Sequence, residues 1–186
     1  ANADGYFVLP TTGSGTVTVS SAIEGQWFNV NNQVASDSSL SLQTASDGSA
    51  NFVHNQENID EFYRAEVNAY IESNDIRDFV LRYNPTYPEI ATQQNWPVNV
   101  NINDSCNAFY DYSSINFYRA GGGCNNTAFS DVVHHEYGHH LVATGGSGQG
   151  EYGEGMGDVM GVLITGDNVL GRGFYQGNCA GGLRNA

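Results

Sequence analysis

The chain has 186 residues, 40% of them hydrophobic and 12% aromatic, which is enough to bury the core of one domain or of a domain with a small appendage. Its formal net charge of −14 comes from 20 acidic residues against six basic ones, all arginines, so we expect no binding to nucleic acid or to an anionic membrane. No apolar run is long enough to cross a bilayer, and the first residues show neither Met nor a signal-peptide pattern. Low charged content with many Gly, Ser, Asn and Tyr residues favours a secreted protein.

Residues 1–55 predict a small β-rich unit, and residues 56–186 a second unit that carries the chemistry. Short β-type runs separated by Gly, Ser, Asn and Asp occur in the first unit at residues 6–9, 16–20, 27–30, 40–43 and 50–53. Nothing in this unit points to a reaction, so its expected role is that of a scaffold or an attachment.

A long helix is predicted next, over residues 57–83, because apolar residues recur there mostly at three- and four-residue steps. Asn84-Pro85 ends it. Residues 98–102 then alternate as a strand with one apolar face, followed by two strand-like runs at 109–112 and 115–118. Two further helices are predicted over 129–144 and 153–164, with glycines after the first.

Three cysteines allow one disulfide and leave one thiol over. Cys106 and Cys124 flank the two strand-like runs, so a bridge between them would close a hairpin. The alternative is three unpaired thiols. Cys179 is then the odd cysteine, whose partner would lie in a downstream segment.

The sequence H-E-x-x-H at residues 135–139 is the most informative motif. On a helix its four-residue step places His135 and His139 on one face, where two neutral imidazoles can hold Zn²⁺. Glu136, beside them, can take a proton from a metal-activated water. The motif therefore predicts metal-assisted hydrolysis.

The third metal ligand must come from elsewhere in the chain. Val142 and Gly145 occupy the positions where a metzincin needs a glycine and a third histidine, which excludes that subclass. Glu154 is the best candidate, and Glu151 is the alternative. Asp158, four residues after Glu154, lies on the same helix face and could orient a ligand histidine.

These residues resemble the thermolysin-like (gluzincin) zinc metallopeptidases, and among them the fungalysin branch. Residues 135–139 and 153–158 are similar to the family's H-E-Y-x-H helix and G-E-G-x-x-D helix, and residues 131–136 to its D-V-V-x-H-E. The sequence N-A-F-Y at 107–110 resembles the family's edge strand, and V-N-A-Y at 67–70 its long helix. The likeness covers residues 60–166.

The resemblance implies an α+β fold, the zincin-like N-terminal subdomain of a metallopeptidase, with a mixed or antiparallel sheet and two active-site helices. It implies zinc bound by His135, His139 and Glu154, with Glu136 as general base and Asp158 as partner of a ligand histidine. A peptide substrate would pair with the edge strand and contact the residues Asn107, Ala108 and Tyr110.

The sequence also departs from the family in three places. The 15-residue step from His139 to Glu154 is short, so the loop between the helices must be tight. Asp131 resembles a calcium ligand, but Thr165 stands where the family has a second one, which argues against calcium. No histidine follows His140, although the family uses a later one to stabilise the oxyanion. We therefore expect a C-terminal segment of the same precursor to be missing.

Three functions follow from these patterns. The first is a zinc-dependent endopeptidase that hydrolyses peptide bonds. The second is a zinc-binding but catalytically incomplete fragment of a larger secreted metalloprotease. The third, a non-catalytic adhesion module, rests only on the β-rich residues 1–55.

Overall fold

The computed structural model describes residues 5–186 and shows a mixed α+β architecture. The long helices and strands of the chain are β1 (Thr16–Ala22), β2 (Phe28–Asn32), β3 (Ser39–Ala45), α1 (Glu61–Tyr83), β4 (Trp96–Ile102), β5 (Ala108–Tyr110), β6 (Ile115–Tyr118), α2 (Ser130–Thr144) and α3 (Glu151–Thr165). Two short strands near the end, β7 (Val169–Leu170) and β8 (Arg184–Asn185), pair with each other. No helix among the described residues is long and apolar enough to span a membrane.

The central sheet has four strands in the order β2-β4-β6-β5. Strands β2 and β6 run parallel to β4, whereas β5 is antiparallel to β6 and forms an edge of the sheet. Alternation in β4 buries Val98 and Val100 completely, and Phe28 of β2 is equally buried. The sheet therefore supplies one side of the hydrophobic core and leaves β5 available at its edge.

Strand β2 belongs to the segment 1–55 and yet forms part of the central sheet. Its register places Phe28 opposite Trp96 and Val30 opposite Val98. Strands β1 and β3, by contrast, pair only with each other as a two-stranded antiparallel sheet. Strand pairing between β2 and β4 therefore crosses the predicted boundary at residue 55.

Helix α1 covers the sheet with a face of small and branched apolar residues. Asp60 caps it by accepting hydrogen bonds from the backbone N–H groups of Phe62 and Tyr63, at 2.8 and 3.1 Å. Ala65, Ala69, Ile76 and Val80 recur at helical spacing and are buried. The helix begins four residues later than the sequence predicts, because the Asp60 cap defines its start.

Helices α2 and α3 pack together at an unusually close crossing. A Cβ built on Gly138 would lie 2.7 Å from the Cα of Gly157, so neither position has room for a side chain. Helix α2 begins after an extended Phe129 that makes no side-chain cap. The close crossing brings the motif on α2 next to Glu154 on α3.

Other predictions differ from the structure at the ends of the chain. The runs at 6–9 and 50–53 are not strands, and the tail segment after Gly166 contains β7 and β8, for which the sequence offers no strand pattern. A disulfide joins Cys106 and Cys124 with a Cα–Cα distance of 5.3 Å, and Cys179 is free and exposed. The bridge closes the hairpin of β5 and β6 beside the motif helix.

Candidate metal centre

The structure brings His135, His139 and Glu154 together, with one ligand atom of each within 4.8 Å of the others. The Nε2 atoms of the two histidines are 3.2 Å apart. The Glu154 carboxylate oxygens lie 3.3 Å from His135 Nε2 and 3.6 Å from His139 Nε2. Among the described residues no other group of three or more His, Cys, Asp or Glu side chains converges in this way.

These separations fit a zinc ion. Zn²⁺ bound tetrahedrally at 2.0–2.1 Å needs its ligand atoms about 3.3 Å apart. The three donor pairs match that spacing to within a few tenths of an ångström, and two imidazoles with one carboxylate form a donor set that zinc prefers. Glu151, the alternative third ligand, is exposed and is not a member of the cluster.

Asp158 lies where the sequence predicts a partner for a ligand histidine. Its Oδ1 is 2.8 Å from His135 Nδ1. Burial alone would raise the pKa of Asp158, but hydrogen bonds and charge from Arg184, together with His135, hold that pKa below its ordinary value. Burial, and then the neighbouring His139, lower the pKa of His135, so this ring favours the neutral form that binds metal.

Glu136 is buried beside the cluster with 7% of its surface exposed. Burial, and then the negative charge of Glu154, raise the pKa of Glu136 to about 8, although Arg184 and the Tyr110 backbone N–H oppose the shift. A carboxyl group with such a pKa can exchange a proton near neutral pH. It is therefore suited to acid–base chemistry once a substrate is present.

A cleft of about 610 Å³ surrounds these residues. It is lined by the predicted residues Asn107, Ala108 and Tyr110 at the edge strand and by residues of the tail segment. The Tyr110 ring lies parallel to His139, and its hydroxyl is 3.2 Å from Nδ1 of the buried His140. His140 in turn stacks on Trp96, so the edge strand is tied to the motif helix.

Arg184 is a site residue that the sequence patterns do not reveal. Its guanidinium Nε and Nη2 donate to the two Asp158 oxygens, and it lines the cleft. Its charge also acts on Glu154 and Glu136. No local motif marks this arginine, because it reaches the centre through the pairing of β7 and β8, 26 residues after Asp158.

Gln149 is the second residue that sequence reasoning missed. It precedes helix α3, and its side chain contacts His139 twice. One signal was available, because Gln149 is the only long side chain in the sequence G-G-S-G-Q-G at 145–150.

Asp131, the residue that resembles a calcium ligand, contacts the tail segment in this structure. The buried Asp131 carboxylate accepts a hydrogen bond from the backbone N–H of Gly171 at 2.5 Å. Asp131 thereby ties helix α2 to the tail segment. The Thr165 hydroxyl donates to the carbonyl of Gly161 within its own helix.

The same arrangement of helices and sheet occurs in the solved structure of a metalloproteinase precursor. A solved structure with this fold is the precursor of protealysin, a metalloproteinase from Serratia proteamaculans, which this chain resembles with a TM-score of 0.57 and 18% sequence identity. The likeness covers 83% of this chain and 51% of that one, so the chain spans about half the length of the protealysin precursor. At this identity the likeness establishes the fold only.

The sequence comparisons add no family. No model of a known protein family matches the chain, and no curated protein matches it.

Proposed function

We propose that the protein is a zinc-dependent endopeptidase of the thermolysin-like type, closest to the fungalysin branch. One observation carries the proposal: His135, His139 and Glu154 converge at zinc spacing directly beside a buried glutamate. The fold supports it, because the same architecture occurs in a metalloproteinase precursor. The disulfide supports a site of action outside the reducing cytosol.

The edge strand would hold the substrate. Strand β5 pairs on one side with β6 and is the last strand of the sheet on the other. An extended peptide can add to such an edge through backbone hydrogen bonds, which bind the chain with little regard to its side chains. Tyr110, fixed by His140, would form the floor beneath this peptide, and Asn107 and Ala108 would flank it.

Glu136 would act as general base and then as general acid. A bound zinc ion would supply a Lewis acid that polarises the peptide carbonyl and acidifies water. With a cation held by His135, His139 and Glu154, the carboxylate form of Glu136 would be favoured and would accept the proton of the attacking water. The same carboxyl group then delivers this proton to the leaving amine, so one residue both accepts and returns the proton. Asp158 and Arg184 keep the His135 ring in place during both steps.

The test compares three glutamate variants in zinc content and in hydrolysis of casein. Glu136→Gln should keep the zinc and lose activity by at least about 10²-fold, the usual contribution of a general base. Glu154→Gln should lose most of the zinc. Glu151→Gln is the matched control, because Glu151 lies exposed in the same helical turn as Glu154, and it should change neither quantity. Activity that persists both in Glu136→Gln and in a chelator would contradict the proposal.

A second candidate is a zinc-binding but catalytically incomplete fragment of a larger secreted metalloprotease. It is favoured by the exposure of Glu154, whose side chain remains 62% exposed at the edge of the cleft. One zinc per chain without cleavage of casein or gelatin would support this candidate over the first. Zinc-dependent cleavage would exclude it.

A further inference from the structure

We propose that Gln149 is a positioning residue for the metal centre, which fixes the ring of His139 and selects the tautomer that binds the metal. This inference rests on the proposed function, because it assigns His139 as a ligand. It adds a residue from the loop between α2 and α3, outside both motif helices.

The two contacts of Gln149 define which atoms carry protons. The Gln149 side-chain nitrogen is 3.0 Å from the carbonyl oxygen of His139, which can only accept, so the amide N–H donates there. The amide oxygen then faces His139 Nδ1, at 2.9 Å. Since this oxygen can only accept, Nδ1 must carry the proton. His139 Nε2 is left with its lone pair directed at His135 and Glu154.

Gly153 makes room for this contact. A Cβ at position 153 would lie 2.5 Å from the Gln149 amide oxygen and 3.1 Å from His139 Nδ1. Any side chain there would push the amide away from the ring. The buried Gly153 is therefore explained by the space that the Gln149 amide requires.

The two ligand histidines are thus held by different chemistry. His135 has a charged partner, Asp158, which Arg184 supports from the far side. His139 has a neutral partner, the Gln149 amide, which contacts both its ring and its backbone carbonyl. Outer partners of this kind fix the orientation of the ring, and their loss commonly weakens metal binding about 10- to 100-fold. The short loop before α3 is for this reason part of the centre.

The experiment measures the Kd for zinc by competition with a chromophoric chelator. Gln149→Leu removes both contacts and should weaken zinc binding about 10- to 100-fold. Gln149→Glu keeps the acceptor for Nδ1–H but loses the donor to the His139 carbonyl, so it should bind zinc more tightly than Gln149→Leu does. Gln33→Leu is the matched control, because Gln33 also bonds a backbone carbonyl but lies on the exposed end of the central sheet, and it should leave the Kd unchanged. Wild-type binding by Gln149→Leu, or equal weakening by Gln149→Glu, would overturn the proposal.

A second readout uses the metal-free protein. In ¹⁵N-histidine NMR spectra, His139 should show a protonated Nδ1 in the wild type and a mixture of tautomers in Gln149→Leu. Gly153→Ala alone should also give a mixture of His139 tautomers. Added to Gln149→Leu, it should change the tautomer populations less, because no Gln149 amide remains to be displaced. A protonated Nε2 on His139 in the wild type would refute the assignment.

These measurements separate the two proposals. Neither needs a peptide substrate, so an inactive protein that binds zinc still tests Gln149. A wild-type protein that binds no zinc would contradict the proposed function, and the tautomer of His139 would still decide whether Gln149 holds the ring. Thermal unfolding of each metal-free variant shows whether the fold is retained.

Discussion

Three side chains outside the candidate ligand set support the two histidines: Asp158 contacts His135, Arg184 donates to Asp158, and Gln149 contacts His139. A four-residue step on a helix fixes which side chains share a face, so the patterns around His135 and Glu154 sufficed to predict a cluster. Gln149 and Arg184 reach the same place from a loop and from the tail, where no periodicity relates sequence distance to spatial distance. Such contacts depend on the path that the chain takes outside the helices.

Glu66 provides a residue-scale prediction about pH. It is fully buried on α1, and its carboxylate accepts hydrogen bonds from the Ser38 backbone and the Asn32 side chain, both at 2.7 Å. Burial, opposed by these hydrogen bonds, raises the pKa of Glu66 above its ordinary value of 4.5. The folded state therefore binds this proton more tightly than the unfolded state does. The contribution of Glu66 to the free energy of unfolding must decrease as the pH rises from below 4.5 through the raised pKa.

The measurement is urea unfolding of the wild type and of Glu66→Gln between about pH 4 and pH 8, a range chosen to span the ordinary and the raised pKa. Since Gln does not titrate, the wild-type value minus the variant value isolates the contribution of Glu66. This difference should decrease with rising pH. A difference that is flat or increases over the range would show that the Glu66 pKa is not raised in the folded protein.

At the scale of elements, prediction succeeded where one periodicity ran over many residues. The three helices lie close to their predicted positions, because each presents a regular apolar or glycine-rich face. Short runs were less reliable. Residues 50–53 have β-type composition but no strand to pair with, and composition alone does not supply a partner. The parallel pairing of β2 with β4 joins residues more than 60 positions apart, which no local pattern encodes.

The crossing of α2 and α3 leads to a prediction at this scale. A Cβ on Gly157 would lie 2.6 to 2.9 Å from three atoms of the His135 ring. Gly157→Ala should therefore displace this ring from Asp158, weaken zinc binding and lower the free energy of unfolding by about 1–3 kcal/mol, as overpacking usually does. Calorimetry and a zinc titration on the purified variant measure the two effects.

Gly155 offers the control within the same helix. It is exposed, and a Cβ there would meet nothing within 4 Å. Gly155→Ala should raise the free energy of unfolding by about 0.5–1 kcal/mol, because alanine loses less backbone entropy in a helix. If Gly157→Ala behaved like Gly155→Ala, the helices would not cross as closely as described.

At the scale of the whole molecule, residues 5–55 contribute to two different environments. Phe28 lies in the common core and contacts the rings of Trp96 and Tyr137 at centroid distances of 6.4 and 5.6 Å. Leu42 belongs to the separate pair β1–β3 and is 39% exposed. The β-rich composition of the segment predicted the three strands β1, β2 and β3, but not that β2 joins the central sheet.

Two alanine substitutions test this division. Phe28→Ala should lower the free energy of unfolding by about 3–5 kcal/mol, the usual cost of removing a buried aromatic ring. Leu42→Ala should change it by no more than about 0.5 kcal/mol, as substitutions on the surface usually do. Chemical denaturation followed by tryptophan fluorescence gives both values. Equal losses from the two variants would indicate a single cooperative unit with β1 and β3 inside it.

The contact between Gly138 and Gly157 also bears on how the centre would acquire its ion. Because the protein's own packing sets the distance between the two helices, the ligands are in position before any metal arrives. Many small zinc proteins instead fold around the ion, and chelators unfold them. Here the protein should bind zinc without a change of fold. Removal of zinc with a chelator and its readdition should be reversible and leave the circular dichroism spectrum unchanged. The rate of binding should depend on the loss of water from the hydrated cation.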